Sequence, residues 1–186
     1  MVVNLKDLLR INLKDEVIIF ETDTVYGIGC LIDSDKGIKR IYEIKNRENK
    51  FPLAVLCANI SQVEKIVVDF ELNKHLAKRF WPGALTLILN KTSVISDLLT
   101  SGLNTVGVRI PNNKIALDIL EKYGPMAVTS LNISSEPPIL KFKDVLLFED
   151  SVDYVVKGED LSSVSSTVYD CVNKRVLRQG KIKIGL

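Results

Sequence analysis

Short apolar runs bounded by turn residues alternate along the chain with segments whose apolar positions recur every three to four residues. The runs 17–20, 53–57, 85–89, 105–110, 126–130, 154–156, 166–170 and 175–177 are rich in β-branched and large apolar residues and predict strands. Between them, segment 35–45 places Ile38, Ile41 and Tyr42 at i, i+3 and i+4 behind a start signal at Ser34 and Asp35, which predicts a helix ending at Lys45. Segments 61–67, 72–80 and 114–123 repeat that period. The last should stop at Gly124-Pro125, the glycine taking a left-handed turn and the proline lacking an N–H. No repeat, low-complexity tract or linker divides the pattern, so residues 1–186 are expected to form one α/β domain on a twisted, open, mixed sheet with flanking helices.

Composition narrows the function classes. Twenty-five Lys and Arg against 23 Asp and Glu leave a formal charge of +2, and 46% of the 186 residues are hydrophobic. A chain of this size can bury about 70% of its unfolded surface without disulfide or metal. The longest apolar stretch, 53–58, is far below the ~20 residues of a membrane helix, so no membrane association is expected. The opening MVVNLKDLLR carries Lys6, Asp7 and Arg10 and lacks the pattern of a secretory signal, which points to the cytoplasm. Cys30, Cys57 and Cys171 are widely spaced and read as small buried side chains. A sequence pI of 8.3 is below that of dedicated nucleic-acid binders, leaving room only for a weak RNA contact. There is no P-loop, and Gly27-Ile28-Gly29 lacks the third glycine of a dinucleotide fingerprint, so any nucleotide site needs another architecture.

Polar residues at the ends of apolar strands carry the candidate chemistry, because such ends converge at a sheet rim. Thr22-Asp23-Thr24-Val25-Tyr26-Gly27 can offer hydroxyls to an anion or can be a plain Asx or Ser/Thr turn. Lys45, Arg47 and Lys50 can cradle a polyphosphate or can simply offset a helix dipole. Arg109 interrupts a strand that should be buried, so it is held by a structural ion pair or awaits an anion, a ligand carboxylate being the preferred reading. Thr129-Ser130-Leu131-Asn132 and Ser162–Thr167, the latter followed by Arg178, read equally as turns or anion contacts. His75, the chain's single histidine, lies in a helical segment with no G-x-S-x-G elbow to serve, which argues against a Ser-His-Asp hydrolase. Trp81-Pro82-Gly83 reads as a helix stop with a packed indole.

Taken in order, TDTVYGIG (22–29), KNR (45–47), PLAVL (52–56), WPGALTLIL (81–89), TVGVRIP (105–111), TSLN (129–132), SSTVYD (165–170) and LRQG (177–180) resemble the YrdC-like family of threonylcarbamoyl-adenylate synthases in its short, single-domain form, without the extra carboxy-terminal domain of longer members. The resemblance implies a twisted open sheet with a large, basic concave face. It also implies synthesis of threonylcarbamoyl-AMP and pyrophosphate from L-threonine, bicarbonate and ATP with Mg²⁺, the product passing to tRNA-modification proteins that make threonylcarbamoyladenosine.

Carried over residue by residue, the resemblance assigns Thr24, Leu56, Arg109, Ser130 and Ser166 to L-threonine, with Arg109 on its carboxylate. It assigns Arg47, Lys50, Phe51, Thr105, Asn132, Pro138 and Arg178 to ATP, with Lys45 and Arg47 as the catalytic cations facing the triphosphate. No residue is assigned to the metal. Glu21 stands where the family usually has proline, Leu131 where it has alanine, and Ala84 and Gln179 where it has proline; these departures should alter local rigidity rather than chemistry. Phe51 occupies a usually basic position, with Lys50 one residue earlier. Segment 134–143, with Pro137-Pro138, has the composition of a lid over the site. Two other readings share the scaffold: an RNA-binding or ribosome-assembly module without chemistry, and a carbamoyl-transfer domain of the hydrogenase-maturation type, which normally sits in a much longer chain.

Overall fold

A computed structural model describes residues 1–46, 51–132 and 136–185. The strands are β1 (Val2–Val3), β2 (Ile18–Phe20), β3 (Gly27–Leu31), β4 (Ala54–Leu56), β5 (Leu85–Asn90), β6 (Thr105–Arg109), β7 (Met126–Ser130), β8 (Tyr154–Val156), β9 (Thr167–Asp170) and β10 (Arg175–Arg178). They form one mixed sheet in the order β1-β8-β2-β3-β7-β4-β6-β5-β9-β10. The helices are α1 (Leu5–Leu8), α2 (Asp35–Ile44), α3 (Ile60–Ile66), α4 (Lys74–Phe80), α5 (Asp97–Thr100), α6 (Lys114–Tyr123) and α7 (Phe142–Val145).

The period-2 geometry of the strands divides the core in two. Ile19, Ile28, Ala127, Val55, Val108 and Leu87 face one side, where Ile38 and Ile41 of α2 and Val63 and Ile66 of α3 pack on them. Ile18, Phe20, Leu56, Met126 and Val128 face the other side and are covered by Ala116, Ile119 and Leu120 of α6. Because α6 reaches only part of that second face, the stretch over β4, β6, β5 and β9 stays open.

Local chemistry sets the helix ends. Ser34 accepts from the Gly37 amide at 3.0 Å, as the start signal predicts, and Asn113 caps α6 by accepting from the Ala116 amide at 2.9 Å. Gly124 ends α6 with φ +91° and ψ −171°, a glycine conformation but not the left-handed helical one expected. The helix expected over 72–80 is split into a 3₁₀ turn, Phe70–Asn73, and α4. Asp69 enters the turn at φ +55° and Asn73 sits outside helical geometry, so Leu72 points outward, 76% exposed, and Phe70 takes its place in the core. His75 is exposed. Cys30 and Cys57 are buried and Cys171 is half-buried; burial pushes all three thiols up, Cys30 and Cys171 to about 12. Among the described residues, no helix is long and apolar enough to cross a membrane.

The largest departure from expectation is β3, whose Gly27 and Gly29 hide it from any hydrophobic pattern. Both glycines face Val128 of β7, and a Cβ on either would come within 2.8 Å of that valine's methyls. Glycine is needed where two strands carry bulk on only one of them. Gly29→Ala should therefore destabilise the fold by about 1–3 kcal/mol through overpacking, read as a lower urea midpoint at unchanged slope; an unchanged midpoint would mean that the sheet yields there at no cost.

Candidate active site

The open part of the second face is a cavity of about 300 Å³. Its floor follows from strand register. Val128, Ala54, Gly107 and Ile88 stand in one row across β7, β4, β6 and β5, and Leu56 and Arg109 stand together in the next. Ala54 and Gly107 are the smallest members of that row, so the sheet itself supplies the hollow. A Cβ on Gly107 would lie 3.2 Å from the Thr86 methyl. The walls come mostly from loops: Thr22, Thr24, Val25 and Tyr26 on one side, and on the other Ser165 and Ser166 together with Arg178 at the end of β10.

Arg109 is the cation of the floor, only 5% exposed. Its Nε donates to the Gly83 carbonyl at 2.9 Å, one Nη donates to Thr24 Oγ1 at 2.9 Å, and the other pairs with the Asp23 carboxylate. The structural ion pair of the sequence reading is present, and the guanidinium also borders the cavity. Burial draws its pKa down, Asp23 opposes that, and an arginine in this setting keeps its charge. The Trp81-Pro82-Gly83 turn does more than stop α4, because it delivers the Gly83 carbonyl to Arg109 while the Trp81 indole donates to the Leu85 carbonyl at 2.6 Å.

The wall on the Thr24 side is a Ser/Thr turn. Thr22 Oγ1 donates to the Val25 carbonyl at 2.7 Å and receives the Thr24 and Val25 amides at 3.2 and 3.3 Å. On the opposite wall Ser166 Oγ lies 2.8 Å from Thr86 Oγ1, and Arg178 donates to the Ser166 carbonyl and hydroxyl at 3.0 and 3.1 Å. Burial also lowers the Arg178 pKa.

Of the residues singled out from sequence, Thr24, Leu56, Arg109, Ser130, Ser166 and Arg178 border the cavity together. Lys45, Phe51, Thr105, Asn132 and Pro138 are not in its lining. Lys45 is not the solvated helix end of its alternative reading: it is 3% exposed, and its Nζ donates to Ser130 O at 2.5 Å, Asn132 O at 2.9 Å and Asn132 Oδ1 at 2.6 Å. Its ammonium thus holds the chain just past β7, beside Ser130, where the last carbonyls of a strand need donors. The Phe51 side chain is 57% exposed and its carbonyl accepts from Tyr42 at 3.1 Å. Thr105 lies on the floor face two residues before Gly107, opposite Asn90. Pro138 is half-buried. Arg47, Lys50 and the part of the expected lid at 134–135 lie outside the described residues.

Thr86 and Gly107 line the cavity but received no role from sequence reasoning. Thr86 is a hydroxyl inside an apolar strand, a signal that was there to read. Gly107 gave none, since a glycine in a strand has many ordinary explanations. Tyr26 fell within the candidate turn without a role of its own. Burial, with Glu21, Asp160 and Glu159 nearby, pushes the Tyr26 phenol up, so it stays protonated and donates to the Glu159 carbonyl at 2.7 Å. Among the described residues, no group of three or more His, Cys, Asp or Glu is placed to hold a metal ion.

Comparison with known proteins converges on one family. The Sua5/YciO/YrdC family model, described as telomere recombination, matches residues 10–180. The threonylcarbamoyl-AMP synthase of Bacillus subtilis is 41% identical over 165 residues, 86% of this chain and 48% of that protein. The protein of that name from Pyrococcus abyssi is 38% identical over 161 residues, 84% of this chain and 47% of that one. The chain therefore spans about half the length of these curated relatives. The crystal structure of P. abyssi Sua5 complexed with L-threonine matches with a TM-score of 0.90 at 32% identity, covering 97% of this chain and 57% of that one.

Because the side chains of Arg109 and Asp23 are only 6% and 14% exposed, Asp23→Ala should strand a buried cation and cost about 3 kcal/mol in chemical denaturation. The double variant Asp23→Ala/Arg109→Met should cost less than that single change; a double variant as unstable as the sum of both singles would show that the two side chains are not one energetic unit.

Proposed function

The chain belongs to the Sua5/YciO/YrdC family, and from that membership we propose that it is an L-threonylcarbamoyl-adenylate synthase, a nucleotidyltransferase that consumes L-threonine, bicarbonate and ATP. The observation that carries this reading is the buried, pre-oriented guanidinium of Arg109 beside a 300 Å³ cavity, in a fold shared with a protein crystallised with L-threonine. An amino acid is recognised there by its carboxylate on Arg109 and by hydroxyls from Thr24, Ser130 and Ser166, with Leu56 against its apolar part. Arg178, Thr105, Asn132, Pro138 and Phe51 serve the nucleotide.

In the reaction, the threonine nitrogen bonds to bicarbonate-derived CO₂ and gives up a proton, forming a carbamate. A carbamate oxygen then bonds to the α-phosphorus of ATP as pyrophosphate leaves. This chemistry asks little acid-base work of the protein, and the site has no histidine. What the side chains supply is orientation and neutralisation of charge. Arg109 fixes the amino acid end. Lys45 sets the Ser130–Asn132 corner and adds positive charge beside it, and Arg47 and Lys50 follow it in sequence as the phosphate cradle. Mg²⁺ arrives on the triphosphate as part of the substrate. The adenylate is then passed to tRNA-modification proteins in the cytoplasm.

Pyrophosphate release from ATP and Mg²⁺ is expected only when L-threonine and bicarbonate are both present, with L-serine a poor substitute. Release indifferent to either partner, or none from folded protein, overturns the synthase reading, and salt-dependent tRNA affinity without ATP consumption would put an RNA-binding module in its place. Arg109→Lys keeps the charge but loses the fork, so it should raise the threonine KM by about tenfold or more while leaving the ATP KM in place. An unchanged threonine KM would remove Arg109 from the amino acid subsite.

A further inference from the structure

The floor of the cavity is held by the hydrogen-bond ladder of the sheet, whereas its walls are mostly loops and need another support. The Glu21 carboxylate is placed to give it. It follows β2 directly, is 9% exposed, and accepts two N–H bonds from distant parts of the chain: Asn113 Nδ2 to Oε1 at 2.8 Å and the Glu159 amide to Oε2 at 2.8 Å. The Glu159 carbonyl in turn accepts from the Tyr26 hydroxyl at 2.7 Å. Segment 158–159 is thus gripped at its N–H by Glu21 and at its C=O by Tyr26. Gly158 makes the grip possible, because a Cβ there would stand 2.5 Å from the Tyr26 hydroxyl and 2.6 Å from Glu21 Oε2.

The segments joined in this way are those that carry the walls. Glu21 precedes the turn bearing Thr22 and Thr24, segment 158–159 leads into Ser165 and Ser166, and Asn113 caps α6 four residues after Arg109. Both partners of the carboxylate are donors, so the site calls for a group that only accepts. A glutamine would turn an NH₂ towards one of them.

Resting on the synthase reading, we propose that Glu21 is a positioning residue that sets the spacing between the 22–26 turn and the serine-bearing loop, and through it the affinity of the amino acid end of the cavity. Glu21 acts through Tyr26 and the 158–159 segment and lies outside the cavity lining.

The test uses the full chain with Glu21→Ala, Glu21→Gln, Gly158→Ala and the double variant Glu21→Ala/Gly158→Ala. Threonine affinity would be read by calorimetry, both KM values by pyrophosphate release, and local order by amide hydrogen exchange. Glu21→Ala and Gly158→Ala should each weaken threonine by about tenfold to a hundredfold, the range carried by loss of a charge-assisted hydrogen bond. The ATP KM should stay within about twofold, Glu21→Gln should fall between, and the double variant should be no worse than the weaker single, as two breaks in one brace require. Unchanged threonine affinity, parallel rises in both KM values, or additive losses in the double variant would overturn the proposal. If Glu21→Ala does not fold, Gly158→Ala decides, since it leaves the carboxylate in place. If the wild-type protein neither binds nor consumes threonine, the synthase reading fails and the brace is judged by exchange alone. Selective loss of protection at the amides of Thr24, Val25 and Glu159 supports it, and retained protection there overturns it.

Discussion

A guanidinium placed inside a sheet must be satisfied, and the way Arg109 is satisfied organises the rest of the site. Its three contacts come from two separate turns, Gly83 in the turn after α4, and Asp23 and Thr24 in the turn after β2, all meeting a side chain on β6. Burying this charge alone would be prohibitive, so its partners must be in place whenever the fold is. The same contacts fix the guanidinium plane and leave it bordering the cavity. A requirement of folding thereby fixes the orientation of the cation on the floor, leaving that side chain little conformational freedom.

The cavity divides into a floor made by register and walls made by side-chain contacts. The floor exists because Ala54 and Gly107 fall in one row between larger neighbours, and because α6 stops short of them. The walls depend on single hydrogen bonds, such as Thr22 to its own turn, Ser166 to Thr86 and Arg178, and Tyr26 to Glu159. Such contacts are individually modest, on the order of 1 kcal/mol each, so the walls are where one substitution can alter binding without unfolding the protein. Lys45 belongs to this class of support. A long, charged side chain at a helix end is ordinarily solvated, yet here it is buried and gathers oxygens at the end of β7.

Much of the architecture could be read from the chain. Eight of the ten strands fall where runs of apolar residues predict them, and α2 and α6 start at Ser34 and Asn113, where caps satisfy the first amides. The strands missed, Val2–Val3 and Gly27–Leu31, are too short or too glycine-rich for alternation to show. The helix at 72–80 was drawn too long, because Leu72 fits the period but lies on a turn that faces water. At the site, Arg109 and Thr24 stood out as polar residues in apolar surroundings, and Ser166 and Arg178 as a hydroxyl loop with a nearby cation. The partners of Asp23 and Glu21 could not be read, since an acidic residue beside a threonine reads as an ordinary turn until its distant partner is known.

By itself the sequence determined the fold class, the positions of most elements and the types of side chain available for chemistry, because periodicity, capping and turn preference act between residues close in the chain. Which of those side chains would meet was decided only by the tertiary structure. The partners Asp23 and Arg109, Thr86 and Ser166, and Glu21 with Asn113 and Glu159 are separated by about 80 residues or more. Bringing them together depends on strand order and register, which place the ends of β2, β5, β6 and β7 around one hollow. A pairing at that separation leaves no local signature, since neither partner changes the conformational preference of its own neighbours; it follows only once the sheet has set which strands lie side by side.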